Sequence, residues 1–238
     1  MKLFRLLLCI LTVCLATADE TRVLFIGNSY TAPLKKALPA IIEQSSTVEA
    51  EVSFITKGGF TLERHLANPA THEAIQNGNW DFVVLQEQSQ TPALSGTPQA
   101  SFYRSVKELC KLISESGATP VLYMTWGRRD GDQKNPEQFP DYTTMQRKLT
   151  AAYQQAARSN RAQLVPVGEV WSRVRQQDKA LGLELYRKDG SHPSDKGTFL
   201  IASAFMKALF NDPLKSASSP AVSEHEARII IDAVKSRR

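Results

Sequence analysis

Two short stretches near opposite ends of the chain carry the residue types of nucleophilic catalysis. Near the start, Ile26-Gly27-Asn28-Ser29-Tyr30-Thr31 sets a serine just past a β-rich apolar run and ahead of a helical pattern. A serine in that position projects from a sheet edge, beside a helix N-terminus whose free N–H groups favour developing negative charge. Alone it says little, because Ser between strand and helix usually only caps the helix. The second stretch is Asp189-Gly190-Ser191-His192-Pro193. A hydroxyl is a poor nucleophile until a base accepts its proton, and an imidazole base works best when a carboxylate holds its tautomer. Asp and His three apart on one tight loop can set the carboxylate against Nδ1 and leave Nε2 facing another segment. His192 precedes a helix on a loop that follows the last strand, which puts it at the same sheet edge as Ser29.

The elements that must position these residues alternate between strand and helix. Arg22 to Ile26, Glu51 to Thr56, Trp80 to Leu85, Pro120 to Trp126 and Gln163 to Val167 are short apolar runs, read as buried strands. Between them lie helical periodicities: Leu34, Leu38, Ile41 and Ile42; short helices near 62–67 and 71–76; Phe102, Val106, Leu109, Cys110 and Ile113 within 98–116; and Met145, Leu149, Ala152, Tyr153 and Ala156 within 142–159. Further helices are expected at 168–178, after Ser194, and at 222–235. The alternation predicts one three-layer α/β/α domain with a five-stranded parallel sheet. In such sheets ligands bind outside the carboxyl ends of the strands. Candidate site segments are therefore Gly27–Thr31, Lys57–Thr61, Gln86–Gly96 and Gly127–Pro140.

Strand–Gly-x-Ser near the N-terminal end, with Asp-x-x-His-Pro near the C-terminal end, resembles the SGNH/GDSL hydrolase superfamily, whose members are esterases and lipases of flavodoxin-like fold. The resemblance implies Ser29 as nucleophile, His192 as general base and acid, and Asp189 as the residue orienting His192. It implies an oxyanion hole from the Ser29 backbone N–H, a Gly after strand two and an Asn after strand three. Gly59 matches the Gly. The Asn is missing: the chain reads Leu85-Gln86-Glu87-Gln88-Ser89-Gln90, as expected of a divergent subfamily. A Gln amide donates as Asn does, on a longer arm. Gln86 and Gln88 are the candidates, and an ungapped register points to Gln90 instead. Tyr30 and Trp126, aromatics at the strand ends, are expected to bind substrate, and Trp80 to lie in the core. The loop from 127 to 140, with Arg128, Arg129, Asp130 and Asp132, is expected to overhang the site as a solvated loop, with a substrate-contacting lid as the alternative. His65, His72 and His225 lack the spacing of metal ligands and are expected on surfaces or helix faces. No metal or other cofactor is expected.

The remaining sequence bounds the setting. The chain has 238 residues, 42% hydrophobic and 22% charged, which excludes disordered and fibrous classes. Lys2 and Arg5, an apolar run from Leu6 to Leu15, and Ala16-Thr17-Ala18 form a signal-peptide pattern at residues 1–18, so export to a periplasm or beyond is expected. Cleavage there leaves 220 residues and takes Lys2, Arg5, Cys9 and Cys14 away. The net charge of +5 then drops to +3, too small to argue for nucleic acid, and Cys110 remains as a core thiol with no disulfide partner. No later apolar stretch reaches membrane-spanning length. The expected function is an exported serine esterase acting on acetyl or other short acyl esters, on small molecules or on glycans. The alternative is a non-catalytic flavodoxin-like or carbohydrate-binding protein.

Overall fold

The computed structural model describes residues 20–236, apart from positions 213 and 216. The signal-peptide stretch, with Cys9 and Cys14, lies outside the described residues. Five strands form one sheet: β1 (Thr21–Gly27), β2 (Ala50–Thr56), β3 (Phe82–Leu85), β4 (Thr119–Tyr123) and β5 (Gln163–Val165). All neighbours run parallel, in the order β2-β1-β3-β4-β5, the flavodoxin-like order. The central strands are apolar throughout because both their faces are covered. Val23, Phe25, Val84, Val121 and Tyr123 point to one core, while Leu24, Ile26, Val83, Leu85 and Leu122 point to the other.

Helices fill both layers. α1 (Leu34–Ile42), α6 (Val167–Gln177), α8 (Asp195–Phe210) and α9 (Glu224–Lys235) cover the first face. α2 (Leu62–Leu66), α3 (Pro69–Asn77), α4 (Thr97–Glu115) and α5 (Tyr142–Asn160) cover the second. The three-layer α/β/α sandwich is thus as the alternation implies. One short helix, α7 (Lys179–Glu184), was not anticipated; Asp178 caps it by accepting from the Leu181 N–H at 2.9 Å. Cys110 is a buried free thiol in the second core, and burial pushes it up to about 12. No helix among the described residues is long and apolar enough to cross a membrane.

Candidate active site

Ser29 sits in the turn between β1 and α1. That turn is shaped by Asn28, whose carbonyl accepts from the N–H groups of Thr31 and Ala32 and whose side-chain oxygen accepts from Tyr30 N–H at 3.1 Å. Gly27 has no room for a side chain: a Cβ there would lie 2.5 Å from Thr31 Oγ1 and 2.6 Å from Gln86 Oε1. The turn is further held from below. His65 Nε2–H donates to the Gly27 carbonyl at 2.9 Å, from a ring that is buried and whose pKa burial lowers. His65 therefore lies on the buried face of α2 and supports the Ser29 turn from inside; it is a helix-face residue, as the sequence allows, and not a surface one.

Asp189 and His192 occupy a loop closed on itself. Arg187 N–H donates to His192 O and Ser194 N–H to Leu185 O, both at 2.9 Å, and Gly190 takes the positive φ of +66° that the reversal needs. Asp189 Oδ1 accepts from the N–H groups of Ser191 and His192, at 2.9 and 3.0 Å. Its other oxygen, Oδ2, accepts from His192 Nδ1 at 2.6 Å. Partial desolvation works against the ion, yet these bonds from Ser191 and His192 outweigh it and hold Asp189 below the usual carboxylate range. With Nδ1–H committed to the carboxylate, Nε2 is left to accept, and Ser29 Oγ lies 2.9 Å from it. The three residues are brought into one hydrogen-bonded line.

Ser29 and His192 open on a cavity of about 270 Å³, whose wall includes Gly59, Gln88, Ser89 and Arg128. Gly59 has a φ of +70° and open space where a side chain would be. Among the described residues, the backbone N–H groups of Ser29 and Gly59 have no acceptor. The three Gln residues separate clearly. Gln86 is fully buried, and its Oε1 faces the Ser29 turn, accepting from Asn28 N–H at 2.9 Å and Thr31 Oγ1 at 2.8 Å. Its Nε2 donates to the Glu87 carbonyl. Gln86 therefore stitches the end of β3 to the Ser29 turn and does not line the cavity, which removes it as an oxyanion donor. Gln90 is tied to Asp132 and Arg128 at 2.9 and 2.5 Å. Gln88 lines the cavity; its Oε1 accepts from Gln90 N–H at 3.0 Å, and its Nε2 donates one hydrogen to Gln90 Oε1 at 3.2 Å, which leaves the other amide hydrogen with only a long 3.5 Å contact to Ser89 Oγ.

The aromatic residues also part company. Tyr30 is 3% exposed; its hydroxyl lies 2.6 Å from Ser191 Oγ and its ring meets the His192 ring edge-on at 5.3 Å. It forms part of the cavity wall beneath the histidine. Trp126 is 0% exposed, sandwiched between Tyr30 at 4.7 Å and Trp171 at 4.2 Å, with Nε1–H donating to Ser191 O at 3.1 Å. Both ring faces are occupied by protein, so Trp126 supports the His192 loop and offers no surface to a substrate. The segment after β4 is likewise not a free overhang. Asp132 is buried and pairs with Arg128 at 2.5 Å, while Arg129 N–H donates to Gly190 O at 2.8 Å. Among the described residues no group of three or more His, Cys, Asp or Glu side chains could hold a metal ion.

Glu87 was missed in sequence. It is buried, and its carboxylate accepts from the N–H groups of Leu62 and Gln88, which ties the Gly59 turn to the Gln88 loop. A lone Glu between two Gln residues carries no signal of such a role; only its position directly after an apolar strand hints that it points inward.

Among solved structures, a protein from Slackia heliotrinireducens described as an SGNH hydrolase is 31% identical over 80% of this chain and 100% of its own, with a TM-score of 0.67. The chain belongs to the SGNH hydrolase family. This SGNH hydrolase also shares its fold with a DUF4886 family protein from Bacteroides uniformis, 19% identical over 91% of this chain and 93% of that one, at a TM-score of 0.79. An acetyl xylan esterase, AlAXEase, shares it at 15% identity over 79% and 99% of the two chains, at a TM-score of 0.64. No family model matches the chain, and no curated protein sequence does. Membership makes the SGNH hydrolase a GDSL-type serine hydrolase and decides against the flavodoxin-like binding protein.

Proposed function

We propose that the protein is an exported serine esterase that hydrolyses short acyl esters, acetyl esters of carbohydrates first, with Ser29 as nucleophile, His192 as base and acid, and Asp189 as the residue that orients His192. The observation that carries the reading is the hydrogen-bonded line itself: Ser29 Oγ at 2.9 Å from His192 Nε2, and His192 Nδ1 at 2.6 Å from Asp189 Oδ2. Ser29 Oγ attacks the acyl carbon as its proton passes to His192 Nε2. The carbonyl oxygen becomes an oxyanion, received by the unpaired N–H groups of Ser29 and Gly59 and by the amide of Gln88. His192 then protonates the leaving alcohol, and the acyl-serine is hydrolysed when His192 takes a proton from water.

The small cavity favours a short acyl group over a fatty one. A sugar ester agrees with the fold shared with an acetyl xylan esterase, and export rests on the pattern of residues 1–18. Purified protein is assayed on 4-nitrophenyl acetate and on acetylated xylan, beside Ser29→Ala and His192→Ala. Hydrolysis should fall by roughly a thousandfold or more in both variants. Undiminished turnover in either one removes that residue from the mechanism.

A further inference from the structure

The reaction above leaves one charged group of the cavity without work. Arg128 follows β4 and lines the same cavity as Ser29 and His192, with its side chain 21% exposed. Its Nη1 donates to Asp132 Oδ1 and its Nη2 to Gln90 Oε1, both at 2.5 Å. These bonds use one hydrogen on each terminal nitrogen. The second hydrogen on Nη2 has only a long 3.5 Å contact to Ser89 Oγ. Nε, sealed from solvent, has no partner among the described residues. A guanidinium carries five N–H donors, so the protein leaves this one under-used.

Asp132 engages only one terminal nitrogen of the guanidinium, Nη1. Its carboxylate also accepts from Gln90 Nε2 at 2.9 Å, Asn135 Nδ2 at 2.7 Å and Lys134 N–H at 3.2 Å, so it is shared among four donors. The position of the cation is fixed relative to His192. Tyr186 Oη–H donates to Gly127 O and Arg129 N–H to Gly190 O, each at 2.8 Å, fastening both neighbours of Arg128 to the loop that bears the histidine.

We infer that Arg128 forms a subsite for an anionic group, a carboxylate, carried by the ester substrate close to its scissile bond. The planar fork of a guanidinium matches a carboxylate better than a point charge does. Closeness follows from size: a cavity of about 270 Å³ lies below the usual ~300–1,000 Å³ of small-molecule sites, so anion and ester are separated by only a few bonds. The inference rests on the hydrolase reading of the same cavity and narrows its substrate to esters of acidic molecules, such as acylated sugar acids.

The test uses matched pairs, each rate normalised to uncatalysed hydrolysis. 4-Acetoxybenzoate is compared with its methyl ester, which places the charge on the alcohol side. Mono(4-nitrophenyl) succinate is compared with its methyl-capped diester, which places it on the acyl side. In at least one pair kcat/KM should favour the anion by about tenfold or more, chiefly through KM. Arg128→Gln should bring that ratio close to one, and Arg128→Lys should retain part of it. No advantage in either pair, or an advantage that survives Arg128→Gln, overturns the subsite. Should the Gln variant fail to fold, the Lys variant decides, because loss of the planar fork must lower the ratio severalfold. Calorimetric titration with benzoate separates the two readings. Binding to the wild type but not to Arg128→Gln, without ester turnover, keeps the subsite and removes the hydrolase mechanism; absence of binding removes the subsite.

Discussion

The Glu87 carboxylate reaches from the end of β3 to the first residue of α2, where both its oxygens accept from Leu62 N–H, at 3.2 and 3.1 Å. Oε1 also accepts from Gln88 N–H at 2.6 Å. One buried side chain thereby fixes the Gly59 turn against the Gln88 loop, the two segments that flank the cavity opposite His192.

That clamp makes stability depend on pH. Burial pushes Glu87 up to about 7, with Glu63 adding to the rise and the N–H groups of Gln88 and Leu62 opposing it. An acid raised in the folded state holds its proton there after the unfolded chain, near 4.5, has lost its own. Its contribution is fully present below pH 4.5 and is lost as pH rises through about 7, a change on the order of 3 kcal/mol. Urea midpoints measured from pH 4.5 to 8 should therefore decline along this window. Glu87→Gln keeps an acceptor at the Oε1 position and should flatten the decline. Glu87→Ala strands both N–H groups and should lower the stability at every pH, by about 1–3 kcal/mol for each.

Asp189→Asn tests whether the carboxylate sets the tautomer of His192. An amide in its place can donate to Nδ1, which moves the imidazole proton to Nε2 and turns that nitrogen away from accepting the Ser29 proton. The fall in kcat should be roughly ten-thousandfold with KM little changed. The thermal midpoint should move far less, because Asp189 is an exposed side chain. A variant retaining a tenth of wild-type kcat would show that the backbone bonds of Ser191 and His192 orient the ring without the charge.

What could be read in sequence follows the range of the forces involved. The central strands were legible because their interiors are buried on both faces and so are apolar, whereas the edge strand β2 is only half-buried and was read from its β-rich composition. The Asp189 loop was legible because its bonds join residues two and three apart. Gln86 was misassigned because the same amide can face a cavity or a neighbouring turn, and the choice depends on Asn28 and Thr31, 55 or more positions away. His65 and Glu87 were missed for the same reason, since their partners Gly27 and Leu62 are set by the packing of α2 against β1 and β3. At β4 the apolar run to Trp126 outlasts the strand, because the chain leaves the ladder after Tyr123 and Trp126 turns into the first core.

Trp126 provides a direct check on that last point. It closes a stack running Tyr30, Trp126, Trp171, with Tyr186 edge-on to the last ring at 5.0 Å. Trp126→Ala should cost about 3–5 kcal/mol of stability, as a large buried side chain does. Trp126→Phe keeps a ring in the stack but drops the bond to Ser191 O. It should lower kcat severalfold through a loosened His192 loop while KM for a sugar ester stays the same. A KM rise alone would return Trp126 to the substrate.

Gly59 and Gln88 should behave as donors to an oxyanion, which means their loss appears in kcat more than in KM. Gln88→Ala removes a side-chain amide at the cavity wall and should lower kcat by roughly 100- to 1000-fold. Gln88→Glu keeps the length of the arm but has no hydrogen to give when ionised, and should be at least as damaging; Gln88→Asn tests reach alone and should fall between. Gly59→Ala forces a side chain onto a φ of +70°, where the cost is about 1 kcal/mol of strain even though no atom stands in the way. Its kcat should drop more than its stability does, because a small tilt of the 59 N–H misaims it at the oxyanion. Equal kcat in the Gln88 variants would leave the two backbone N–H groups as the whole oxyanion hole.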